Sequence, residues 1–140
     1  MVPRSLFSMW HPWRALYEAN EIELIWSKNL PDDVLGATNG KQIWLSPKQF
    51  QAERRCTLTH ELVHVERGHD GCQPPSVEKQ VCAEAARRLI TIEQLRAWLP
   101  WALSMEELAE CLWVDKDTLK TRLENLTAEE MQELSTVLSD

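Results

Sequence analysis

One ten-residue stretch constrains this chain more than any other: Arg55-Cys56-Thr57-Leu58-Thr59-His60-Glu61-Leu62-Val63-His64, which closes on His-Glu-x-x-His. Two histidines four apart stand one above the other when the stretch is helical, and both imidazoles then reach a single metal ion. Glu61, one residue round from His60, reaches a water on that ion. The pattern therefore demands a helix, a third ligand and a coordination position left open to solvent.

The flanking sequence supplies the helix. Ser46-Pro47-Lys48-Gln49 reads as its start, with Ser46 as N-cap, Pro47 in the first helical position and Gln49 closing a capping box. Gly68 is the expected terminator, which puts His60 and His64 in the last third, with Cys56 and Val63 beside them. Upstream, His11 to Ala19 predicts a short helix entered through Pro12. Ile22 to Trp26, Val34 to Thr38 and Gln42 to Leu45 predict three strands, the last two joined by Asn39-Gly40 as a type I′ hairpin. A small antiparallel sheet is the expected product.

The third ligand comes from periodicity. Glu78, Val81, Cys82, Ala85, Ala86 and Leu89 fall on one helical face, and Glu78 heads an otherwise apolar stripe. A carboxylate facing a core must be paired or coordinated, because burying it alone costs several kcal/mol. Glu78 therefore ranks first as third ligand, Asp70 second and His69 third. A longer zincin pattern would need Gly at 67 and His at 70, where this chain has Arg67 and Asp70.

At 140 residues, with 44% apolar residues, the chain is large enough for a core. No apolar run is long enough to cross a bilayer, and Leu6 to Trp10 is too short for a secretory core segment, so a cytoplasmic location without membrane attachment is expected. Cys56, Cys72, Cys82 and Cys111 then read as thiols, and none forms a Cys-x-x-Cys pair. The net charge of −7 lies entirely beyond Leu103, where ten acids face three bases. That tail repels phosphate.

Two domains are expected, 1–90 around the metal motif and 91–140 as a helical unit. Thr91-x-x-Gln94, Ser104-x-x-Glu107 and Thr127-x-x-Glu130 are capping boxes that outline helices near 92–99, 105–113, 116–125 and 128–138. The middle pair has helix-turn-helix character and would present Lys116, Lys120 and Arg122. Trp113, however, stands where a turn glycine belongs, and Asp115, Asp117 and Glu124 dilute the charge. Packing or protein docking is expected here, not DNA binding. The seven tryptophans read as core and rim aromatics, with Trp98 and Trp101 as a candidate partner patch.

The stretch from Arg55 to His64, followed by Glu78-Lys79-Gln80-Val81-Cys82 and Ala85-Ala86-Arg87-Arg88-Leu89-Ile90, resembles the ImmA/IrrE family of metallopeptidases of phages, mobile elements and stress-response loci. The likeness covers roughly Trp44 to Ile90. It implies an α+β, zincin-like fold, with His60, His64 and Glu78 as ligands of Zn2+ (Mn2+, Fe or Co also accept such a set) and Glu61 as general base. It further implies cleavage of a regulatory protein such as a phage or mobile-element repressor. Four residues after the ligand Glu the family usually carries Asn or Asp, which orients a ligating His; here the residue is Cys82, a poorer acceptor. Tyr17, His11 and His69 are candidate oxyanion donors. The strand Gln42 to Leu45 is the candidate for pairing with an extended substrate. The alternative is a regulatory or protein-binding module that keeps a structural metal and has no peptidase activity.

Overall fold

A computed structural model describes residues 10–138; the apolar segment Leu6 to Met9 lies outside them. Among the described residues the fold is α+β, with seven helices and one three-stranded sheet. The chain divides into two compact units, His11–Ala85 and Ala86 onward together with Trp10, and the division falls inside a helix.

In the first unit, α1 (Pro12–Glu18) begins on its proline and precedes β1 (Glu23–Trp26), β2 (Gly36–Thr38) and β3 (Gln42–Leu45). The sheet is mixed, in the order β1-β3-β2, which corrects the antiparallel expectation. β3 runs antiparallel to β2 and parallel to β1. The connection from Trp26 to Gly36 is too long for a tight hairpin, and it leaves room for one strand between β1 and β2. β3 takes that central place. Its alternate residues Ile43 and Leu45 are fully buried.

The β2–β3 turn also differs from expectation. Gly40 has φ +93°, while Asn39 does not take positive φ, so the type I′ turn, which needs it at both central residues, does not form on Asn39-Gly40. The Asn39 side chain serves the turn in another way, its Oδ1 accepting from the N–H groups of Lys41 and Gln42.

α2 (Gln51–Glu66) starts four residues later than Ser46 promised. Phe50 is its N-cap, and Glu53 accepts from the Phe50 N–H at 3.1 Å. Gln49 is buried and has a different task from capping. Its amide donates to the Leu35 and Ser46 carbonyls, and its Oε1 accepts from Thr57 at 2.7 Å. The lead-in to β2 is thereby tied to α2. Gly36 permits the close approach: a Cβ there would stand 2.5 Å from Thr57 Cγ2. α3 (Pro75–Leu89) returns against α2 through Val81 and Ala85, which pack with Val63.

The second unit holds α4 (Ile92–Trp98), α5 (Met105–Leu112), α6 (Lys116–Glu124) and α7 (Ala128–Leu138). The boxes at Thr91/Gln94 and Thr127/Glu130 close reciprocally, whereas Ser104 caps only through its hydroxyl. Leu95, Leu108, Leu112, Leu119 and Leu134 form its core. Trp113 occupies the left-handed position between α5 and α6 (φ 57°, ψ 47°), where glycine is usual. Arg122 does not face solvent. It is 2% exposed, donates from Nε to the Ile90 carbonyl at 2.7 Å and forks onto both Glu130 oxygens at 3.1 and 2.6 Å. Lys116 pairs with Glu106. Two of the three cations offered for phosphate binding are thus engaged within the protein.

No tryptophan enters the buried core among the described residues, which narrows the aromatic expectation to the rim. Trp101 is the most exposed of them, and Trp98 is half-buried. No helix there is long and apolar enough to cross a membrane. All four cysteines are free thiols.

Candidate metal centre

α2 carries His60, Glu61 and His64 on its last turns, and α3 carries Glu78 in its first turn. The three ligands expected from the sequence converge. His60 Nε2 and His64 Nε2 are 3.2 Å apart, and Glu78 Oε1 lies 3.3 Å from the first and 3.0 Å from the second. A tetrahedral zinc with bonds of about 2.0–2.1 Å has ligand–ligand edges of about 3.3 Å. The triangle therefore fits one face of such a tetrahedron. His/His/carboxylate is also the donor set that zinc and its first-row neighbours accept.

Each of the three side chains has a neighbour behind it. The Gln73 N–H donates to Glu78 Oε2 at 3.2 Å, leaving Oε1 for the triangle. Partial burial would raise the Glu78 carboxyl, but the Gln73 N–H, His64 and His60 together hold it below the usual range. His60 is lowered, mainly by burial and then by His64, which keeps it the neutral donor that ligation needs. His60 Nδ1 faces Cys82 Sγ at 3.7 Å. Cys82 is exposed, a departure from the apolar stripe expected of it, whereas Val81, Ala85, Ala86 and Leu89 are buried as that stripe requires. Although the residue reaches solvent, partial desolvation of the sulfur by its neighbours, then Glu78 and Glu61, push the thiol up, so it meets His60 as a neutral and weak acceptor. Cys82→Asn should tighten zinc binding about tenfold, since an amide carbonyl accepts a better bond from Nδ1–H. Competition against a chromophoric chelator measures the change.

Glu61 is 5% exposed, and its Oε2 is the one buried side-chain polar atom without a partner among the described residues. Burial, and then the charge of Glu78, push its carboxyl up to about 7. A divalent cation beside it would act in the opposite direction. A buried carboxylate oxygen with nothing to bond is costly to keep, which marks it as waiting for a proton or a ligand.

The triad and Glu61 open onto a cleft of about 480 Å³. Residues 33–38, including all of β2, line it together with Gly71 and Cys72. β3 cannot receive a substrate strand because both its edges are taken. β2, like β1, is an edge strand among the described residues, and alternation of its ladder turns the backbone groups of Gly36 and Thr38 away from β3. None of the three oxyanion candidates lines this cleft. Tyr17 is 84% exposed and belongs to a separate groove with Trp13, Leu16 and Ile22. His11 caps α1, and His69 lies behind His64. Asp70 is exposed and stays outside the ligand group.

The fold and site define an α+β protein with a His/His/Glu group able to hold a metal ion. No protein-family model, no curated protein and no solved structure matches the chain.

Proposed function

We propose that this chain is a zinc-dependent metallopeptidase of the zincin-like, ImmA/IrrE kind, cutting a cytoplasmic regulatory protein such as a phage or mobile-element repressor. The observation that carries the proposal is the pairing of a ligand triangle of tetrahedral dimensions with an orphaned, buried Glu61 oxygen on one cleft. A purely structural site has no use for the second. The kind of substrate is supported by the sequence resemblance.

His60, His64 and Glu78 would hold the ion, which when bound supplies Lewis acidity and lowers the pKa of water towards neutrality. The protein's own residues do the rest. Glu61 Oε2 takes the proton of the attacking water and returns it to the leaving amide nitrogen. The free edge of β2 receives an extended peptide by backbone pairing, so the scissile bond is placed with little demand on side chains. Gly36 keeps that edge close to α2.

Elemental analysis of the purified chain should find one divalent ion per molecule. A mixed fluorogenic peptide library should be cleaved, cleavage should stop on chelation, and added zinc should restore it. A chain with no ion, or cleavage indifferent to the chelator, contradicts the proposal.

A further inference from the structure

His64 uses both ring nitrogens. Its Nε2 belongs to the ligand triangle, while its Nδ1 lies 2.9 Å from His69 Nδ1, with the two rings tilted 60° at 5.1 Å. A nitrogen that gives its lone pair to a cation carries no proton, so a neutral ligating His64 carries its proton on Nδ1. That proton points at His69 Nδ1, which must then be the bare nitrogen, with the His69 proton on Nε2.

The backbone builds this contact. Gly68 takes φ +75° after the last turn of α2. The His69 N–H donates to the His64 carbonyl at 3.0 Å and the Gly68 N–H to the Val65 carbonyl at 3.1 Å. These are the paired bonds of a Schellman helix end, which folds residue 69 back over residue 64. The same loop supplies the Gln73 N–H that holds Glu78.

We propose that His69 is the positioning residue of the centre: it accepts from His64 Nδ1–H, fixing the rotation and tautomer that aim Nε2 at the ion. The inference rests on the metal-centre reading. The opposite polarity, with His69 donating and His64 Nε2–H donating to Glu78, fits the same distances but forbids ligation by His64.

Long-range proton–nitrogen NMR of the zinc-loaded full chain should find the His69 proton on Nε2 and its Nδ1 bare. In chelator competition, His69→Ala and His69→Gln should weaken zinc binding about 10- to 100-fold. His69→Asn, whose Oδ1 stands where Nδ1 does, should stay near wild type. Thermal unfolding in excess chelator should not separate the three variants. A proton on His69 Nδ1, zinc affinity in His69→Ala equal to wild type, or equal losses in all three variants would overturn the role of His69 and leave the metal centre standing. A wild-type chain that takes up no zinc would remove both.

Discussion

Glu61→Gln leaves one zinc per chain and lowers peptide cleavage about 10²- to 10⁴-fold, the range a general base contributes. Gln keeps the shape of the side chain, so the ligand triangle is untouched, but an amide cannot take a proton from water. Glu78→Ala gives the reverse order of loss: the ion leaves first and activity with it. The pair separates a catalytic centre from a structural one, because a structural site is indifferent to Glu61. The Gln variant also carries a stability signature. The Glu61 carboxyl is raised from 4.5 to about 7 in the folded protein, so the native state holds its proton longer than the unfolded chain does. Stability is therefore full below about pH 4.5 and falls as pH rises through about 7, by about 3 kcal/mol. In metal-stripped protein at about pH 8, Glu61→Gln should unfold at a higher temperature than wild type, and at about pH 4 the two should coincide. Calorimetry at both pH values checks it; equal melting at the higher pH would show that burial does not burden Glu61.

The second large effect belongs to Glu130. It closes the capping box at the start of α7 by accepting from the Thr127 N–H, and it receives both arms of the buried Arg122 guanidinium. Its side chain is 17% exposed against 2% for Arg122. Removing it strands a buried cation, so Glu130→Ala should cost about 3–5 kcal/mol, lowering the melting temperature on the order of 10 °C. The Arg122 fork, with the Thr127 N–H, holds the Glu130 carboxyl down at about 2. A depressed carboxylate contributes stability that is complete above its unfolded value near 4.5 and is lost as pH falls towards 2. An acid titration of helical content should show a step in that window for wild type and none for Glu130→Ala. A variant as acid-sensitive as wild type would place the transition elsewhere.

The convergence of His60, His64 and Glu78 was more legible in the sequence than their surroundings were. His60 and His64 are legible because spacing on a helix is local, and Glu78 because one charge at the head of an apolar stripe is conspicuous. The capped starts of α4, α5 and α7 are legible for the same reason. The sheet order was not, since pairing β1 with β3 depends on how far the segment after Trp26 reaches, which propensity does not encode. The role of Gln49 is not legible in the sequence, because its tie to Thr57 and Leu35 exists only in the folded chain. His69, weighed from the sequence as a third ligand or an oxyanion donor, is placed against His64 Nδ1 instead. A glycine ending α2 returns the residue after it to the carbonyl of His64, so Gly68-His69 already pointed at that histidine as the one it would serve.

The loop between α2 and α3 adds no residue to the His60/His64/Glu78 group, yet it touches two of the three side chains from behind. Transplanting only the two helices, ligands included, onto a foreign hairpin would therefore carry over the identities and lose their aim. Residues 67–74 are the part such a graft must bring with it, at their native length. A designer shortening that segment by one residue should expect His64 and Glu78 to lose their alignment with His60 although all three side chains are still there.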